Sequence, residues 1–157
     1  MSPLESRAPG LVGAVLSNPD MSAGLIADGI HVHPQVLQIA WAANQTSQRF
    51  FLVSDAMAVA GTDQTSFQLG GRQITRDQNR LTLEDGTLAG ADLDLTTAVR
   101  VLVQDVGVPL EQALAAATCG PGDLIKCPAR LSPGVTHLTS VVRIATDLSG
   151  VEVLGNG

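Results

Sequence analysis

The chain has 157 residues, 45% of them apolar and 15% charged, which excludes a disordered polymer and suffices for a domain with a core. Its net charge of −6 and lack of a basic patch argue against nucleic acid and membrane surfaces as partners. No apolar run approaches the ~20 residues of a membrane span, the first residues lack a signal-peptide pattern, and two cysteines make no disulfide framework; a cytoplasmic protein with reduced thiols is expected.

In chain order, "GLVGAVLSNPD" reads as a short helix or loop. "GLIADGIHVHP" then predicts a strand over 24–32, buried on both faces, that runs into Asp28, Gly29, His31 and His33 before Pro34. In an extended chain His31 and His33 share a face. Pro34 fits the first turn of a helix over 34–43, where Val36, Ile39, Ala40 and Ala43 recur at helical intervals. "RFFLVSDAMAVAGT" holds a second buried strand, 50–54, ending at Asp55. This β–α–β order implies parallel pairing through a right-handed crossover. The histidines and Asp55 thus fall at the carboxyl ends of strands, where α/β proteins bind ligands.

Two readings of the His-x-His pair stand side by side. Both imidazoles on one side of a strand can hold a metal. Alternatively, one His is functional or hydrogen-bonded and the other incidental. The one remaining histidine is the sequence-distant His137, and Cys119 and Cys127 have no zinc-type spacing, so a metal site built from this chain alone is poorly supplied.

The texture then changes. Gly70-Gly71 and Asp85-Gly86 are turn signals, and 66–83 reads as an antiparallel hairpin with room for a third short strand. Leu88, Ala89 and Gly90 read as a tight linker into a helix over 95–106. That helix lines up Val99, Leu102, Val103 and Val106 and ends at Gly107. Another helix starts near Pro109 with Leu110, Ala113, Leu114 and Ala117 as its buried face, and "CGPGD" breaks it. The tail, 137–155, alternates around a turn at Ser149-Gly150 and reads as two strands. Two buried parallel strands need neighbours on each side. The chain therefore reads as the end of a larger α/β protein, with an exposed apolar sheet edge or one covered by another copy.

"SRAPGLVG", "GLIADGIHVHP", "LVSDAMAVAGT", "DGTLAGA" and "LEQALAAAT" occur in the order seen in N-acetylglucosamine-6-phosphate deacetylases of the amidohydrolase superfamily, which the chain resembles from residue 1 to about 118. Beyond Pro121 only a general strand pattern is similar. The resemblance implies an α/β chain forming the C-terminal part of a (β/α)8 TIM-like barrel. Its parts would be the last two parallel strands, their helices and a β-hairpin insertion, with C-terminal β-strands of a small sandwich. Residues 1–120 would belong to the partial barrel and 121–157 to the strand segment. The implied reaction is metal-dependent hydrolysis of the N-acetyl group of N-acetylglucosamine 6-phosphate, giving glucosamine 6-phosphate and acetate. A divalent metal, often zinc, activates the water. The family's Glu and two His metal ligands lie on earlier strands that have no counterpart here, so stable metal binding by this chain is not expected. Met1 then resembles an internal methionine of the family.

The same resemblance assigns roles. Asp55 matches the catalytic carboxylate that takes a proton from metal-bound water and passes one to the leaving amine, and it is a possible metal ligand. The bland alternative is a turn or helix cap. His31 matches a substrate-binding His, against the alternative of a satisfied structural His; His33 matches no role. Asp28, Gly29 and Ile30 belong to the same matched substrate-binding segment. Arg7 matches an Arg that binds the sugar phosphate, for which a guanidinium is suited. Leu88, Ala89 and Gly90 match a substrate-contacting loop. Three functions compete: a truncated deacetylase inactive alone, a non-catalytic module binding amino-sugar phosphate, and one half of a split barrel completed by a missing N-terminal half or by homo-oligomerisation.

Overall fold

Two apolar strands separated by a helix pair in parallel, as their order requires. The computed structural model describes residues 2–43, 49–127 and 141–154. Helix α1 (Gly10–Ser17) precedes β1 (Ala23–Leu25), α2 (Pro34–Ala42) crosses over, and β2 (Phe50–Leu52) pairs with β1 from Ala23↔Phe50 to Leu25↔Leu52. Strand β1 is much shorter than the expected 24–32. One Asp28 carboxylate oxygen accepts the backbone N–H groups of Ile30, at 2.9 Å, and His31, at 2.8 Å. This turn takes over the donors that a longer strand would have offered to its neighbour. Strand β1 is half-buried, whereas β2 buries Phe50 and Leu52.

Pro34 starts α2 as expected, but the buried face differs. Leu37 is buried, while Val36 and Ile39 are exposed. Trp41 Nε1 donates to Gln112 Oε1 at 3.3 Å, tying α2 to α4 (Leu110–Ala117).

The expected hairpin is a larger unit. Strands β3 (Ser66–Leu69), β4 (Arg72–Asp77), β5 (Arg80–Leu83) and β6 (Leu88–Ala91) form a four-stranded antiparallel sheet in sequence order. Leu88, Ala89 and Gly90 are therefore strand residues and not a loop. Val59, Ile74 and Leu81 form a small buried cluster on this sheet, with Met57 and Ala89 packed against it.

Helix α3 (Leu95–Val101) is capped by Asp94, whose side chain accepts from Thr97 N at 2.8 Å. It continues as one π-helical turn, Leu102–Val106, ended by Gly107 at φ +83, a left-handed cap that glycine adopts without a Cβ penalty. Helix α4 buries Ala113 and Ala116 and packs Leu114 and Ala117 against the core, the expected face except for Leu110, which is exposed. "CGPGD" does not end helical structure. The break is at Thr118, and α5 (Cys119–Leu124) follows. Pro121 sits in its first turn, where a missing N–H costs nothing. Strands β7 (Val142–Ile144) and β8 (Val151–Val153) form the expected antiparallel tail; Met1, His137 and the rest of the expected tail lie outside the described residues. The main core gathers Ala27, Leu37, Leu52, Ala91, Leu93 and the buried faces of α3 and α4.

Candidate functional site

The site forms where β1 and β2 end and β6 passes beside them. Asp28 is central. Its Oδ1 closes the turn after β1, and its Oδ2 lies 2.6 Å from His31 Nδ1. The other ring nitrogen of His31, Nε2, lies 3.2 Å from the carbonyl oxygen of Ala89 on β6. Both side chains are largely withdrawn from solvent, His31 at 15% and Asp28 at 6% exposure.

Burial pushes the Asp28 carboxyl upwards, but the bonds from the His31 ring and from the Ile30 and His31 N–H groups, with the imidazole charge, outweigh it and hold Asp28 below its ordinary range. Burial likewise works against a charged His31. The Asp28 hydrogen bond, the Ala89 carbonyl and the charges of Asp28 and Asp55 prevail and raise it. The contribution of Asp55 places its carboxylate within electrostatic reach of the imidazole.

Asp55 follows β2 in a left-handed conformation, φ +49, unusual for a residue with a Cβ though tolerated by Asp. The strand expected to reach Ser54 stops at Leu52, and this bend carries the Asp55 side chain into solvent. Its backbone carbonyl accepts from Ala91 N at 2.8 Å, and Ala56 bridges Ala91 in parallel fashion, so β6 is anchored to the end of β2. Gly90 makes this approach possible. A Cβ there would stand 2.5 Å from Met57 Cγ and 2.7 Å from the Asp55 carbonyl oxygen. Gly90 N also donates to Met57 Sδ at 3.1 Å.

The fold thus brings together Asp28, His31, Asp55, Ala89 and Gly90. Gly29, at φ +71, and Ile30 lie in the turn between Asp28 and His31, and exposed Leu88 precedes Ala89 on β6. Arg7 is exposed, and among the described residues no hydrogen bond or ion pair ties it to this group. His31 and His33 do not form a pair. His33 is the N-cap of α2, its ring Nδ1 accepting from Gln35 N at 3.2 Å, and the chain at 28–33 is a turn and not a strand.

Several supporting residues were missed in the sequence. Arg49 is buried and donates to four carbonyls: Val15 and Asn18 through Nη1, Leu16 and Ala43 through Nη2, at 2.7–3.0 Å. It thereby caps the C-terminal ends of both α1 and α2 beside β2. Arg76 binds the carbonyls of Val59, Thr62 and Gln64 and the Asp92 carboxylate, fastening the segment after Asp55 to β4. The one available signal was an Arg at the head of the apolar run "RFFLV", a position where a charge needs a partner.

A divalent metal needs more than this group offers. Among the described residues no three His, Cys, Asp or Glu side chains converge as a metal site. Both ring nitrogens of His31 are engaged, which leaves Asp55 as a lone carboxylate. These residues do not fit a complete zinc site.

Known proteins are similar to most of the chain. The chain is 40% identical over 128 residues to the N-acetylgalactosamine-6-phosphate deacetylase of Shewanella sp. (strain ANA-3), a match covering 82% of this chain and 32% of that protein. It is 33% identical over 150 residues to the N-acetylglucosamine-6-phosphate deacetylase of Vibrio furnissii, covering 95% and 37%. A protein of Escherichia coli (strain K12) named "Putative N-acetylgalactosamine-6-phosphate deacetylase" is 33% identical over 125 residues, covering 80% of this chain and 74% of that protein. The chain belongs to the N-acetylglucosamine-6-phosphate deacetylase family. Among solved members of that family, the crystal structure from Pasteurella multocida matches 98% of this chain with a TM-score of 0.85 at 30% identity, using 41% of its own length. A Mycobacterium smegmatis deacetylase mutant, in complex with N-acetyl-D-glucosamine-6-phosphate, matches 82% of the chain with a TM-score of 0.75 at 25% identity. No family model matches the chain. The chain spans about a third of the length of the first two relatives, 32% and 37%. Among the described residues no helix is long and apolar enough to cross a membrane.

Proposed function

We propose that the chain forms the amino-sugar-phosphate side of a deacetylase site, with Asp55 as the carboxylate that would move the proton and His31, Ala89 and Gly90 against the substrate. The observation that carries this reading is the junction of β6 with the ends of β1 and β2. There the His31 ring reaches Ala89 O at 3.2 Å and Ala91 N holds the Asp55 carbonyl at 2.8 Å. Polar groups gathered beyond the carboxyl ends of parallel strands are the arrangement of ligand sites in α/β barrels. The parallel β1–β2 pair with its helical crossover supports a reading as the C-terminal part of a (β/α)8 barrel, residues 1–120, followed by a strand segment, 121–157.

Asp28, Gly29 and Ile30 shape the turn that presents His31, and Leu88 flanks the same edge. Arg7, on its exposed loop, would meet the phosphate through bidentate hydrogen bonds. The substrate class is an N-acetylhexosamine 6-phosphate. Relatives named for the glucosamine and for the galactosamine compound leave both epimers in the test.

Amide hydrolysis by a metal-bound water needs about three protein ligands. The described residues supply one candidate, Asp55. A divalent metal, zinc in the first instance, would polarise the acyl carbonyl and acidify the water. The 157-residue chain by itself therefore binds amino-sugar phosphate without turning it over. Turnover requires ligands from polypeptide beyond the described residues.

The test records amide spectra of the purified chain on addition of N-acetylglucosamine 6-phosphate and N-acetylgalactosamine 6-phosphate, and assays acetate release with added zinc. Expected are shifts at His31, Ala89 and Gly90 with no acetate. No shift at millimolar ligand would overturn the binding reading. Zinc-dependent acetate release, abolished by Asp55→Asn, would overturn the reading that the chain is inactive alone.

A further inference from the structure

We propose that Asp28 is a positioning residue: its carboxylate fixes the His31 ring as a donor at both nitrogens, so that position 31 recognises an oxygen acceptor of the ligand through Nε2–H. The proposal deepens the site reading above and rests on it for the ligand.

The geometry decides the donor pattern. Asp28 Oδ2, 2.6 Å from Nδ1, is a carboxylate oxygen and accepts. Nδ1 therefore carries a hydrogen. The Ala89 carbonyl, 3.2 Å from Nε2, can also only accept, so Nε2 carries one as well. A neutral imidazole satisfies one of these acceptors; the imidazolium satisfies both. The same Asp28 carboxylate is itself held by the Ile30 and His31 N–H groups through its other oxygen. The ring is thus bolted to its own backbone turn.

The two bonds are unequal. The Nδ1 bond is short, as a charge-assisted bond is, whereas the Nε2 bond is at the long limit for N–H···O. The Ala89 carbonyl is the partner that a ligand oxygen displaces, while Asp28 keeps the ring in place. A cationic donor prefers an anionic oxygen to a neutral one. The charged groups around the ring are Asp28 from its own turn and Asp55 from the segment after β2; β6 presents the neutral Ala89 carbonyl. His33 faces away, capping α2.

The test reads the ring nitrogens of the three histidines by nitrogen-15 NMR. In the wild-type chain near neutral pH, both His31 nitrogens should be protonated and its titration midpoint should lie above the ordinary histidine value of about 6.5. In Asp28→Asn, the amide still closes the turn through its oxygen and turns its NH2 towards Nδ1. His31 should then become the neutral Nε2–H tautomer, with its midpoint lowered from the wild-type position. N-acetylglucosamine 6-phosphate and inorganic phosphate, added in turn, should shift Nε2–H and leave Nδ1–H in place. Wild-type His31 titrating at or below the ordinary histidine value of about 6.5, or Asp28→Asn leaving it unchanged, overturns the positioning role; the wild-type arm decides this even if the variant fails to fold. Neither ligand moving Nε2–H while Asp28→Asn still shifts the midpoint overturns the ligand-facing reading alone.

Discussion

Gly90→Ala tests whether β6 must lie this close to the Asp55 segment. The added Cβ would stand 2.5 Å from Met57 Cγ, 2.9 Å from Met57 Sδ and 2.7 Å from the Asp55 carbonyl oxygen. Ordinary carbon contacts begin at about 3.5 Å, so the shortfall is on the order of 1 Å. Met57 can swing away. The Asp55 carbonyl cannot move without straining its 2.8 Å bond from Ala91 N. Overpacking of this kind costs about 1–3 kcal/mol, and loss of the bond adds about 1 kcal/mol. Equilibrium urea unfolding should therefore show a loss of about 2–4 kcal/mol, which at a slope of about 2 kcal/mol per molar is a midpoint lowered by roughly 1–2 M. Combining Gly90→Ala with Met57→Ala should recover only part of the loss, because the clash with Asp55 backbone remains. Gly29→Ala is a useful contrast: φ +71 with open space around it should cost about 1 kcal/mol from conformation alone. A Gly90→Ala chain within about 0.5 kcal/mol of wild type, the size of an ordinary surface substitution, would refute the close-packing account.

Arg49→Met leaves the carbonyls of Val15, Leu16, Asn18 and Ala43 without their donor and should cost about 3 kcal/mol or more by urea unfolding. The Asp28–His31 contact, counted once, has a pH window. His31 is raised, so its contribution is complete below about pH 6.5 and fades as pH rises through its folded value; Asp28 is lowered, so its contribution is complete above about pH 4 and fades as pH falls through its folded value. The stability gap between wild type and His31→Gln should then be widest near pH 5–6 and narrow on the alkaline side; a flat gap would count against the ion pair. His33→Ala should cost only a helix cap, about 0.5–1 kcal/mol, and leave ligand-induced shifts at Ala89 intact. Arg76→Met should speed amide exchange at Thr62 and Gln64, whose carbonyls it holds, more than at Leu52 in β2.

The sequence by itself determined the elements whose signals are local. Pro34 and the apolar runs set the β1–α2–β2 order and hence parallel pairing; Gly107, at φ +83, closed α3 because few other residues accept that conformation. The motif resemblance carried the family and singled out Asp28, His31, Asp55 and Gly90 as a group. Tertiary structure decided the rest. Where β1 stops depends on which acceptor wins the Ile30 and His31 N–H groups, and Asp28 takes them from any neighbouring strand. Whether Leu88–Gly90 is a loop or a strand depends on its pairing with β5 and on Ala56, remote in sequence, bridging Ala91. The buried face of α2 turned to Leu37 because burial follows what packs against a helix, and spacing alone does not record the partner. His31 and His33 separated for the same reason. Alternation assigns a shared face only to extended backbone, and a turn held by one carboxylate sent one ring to Ala89 and left the other to cap a helix.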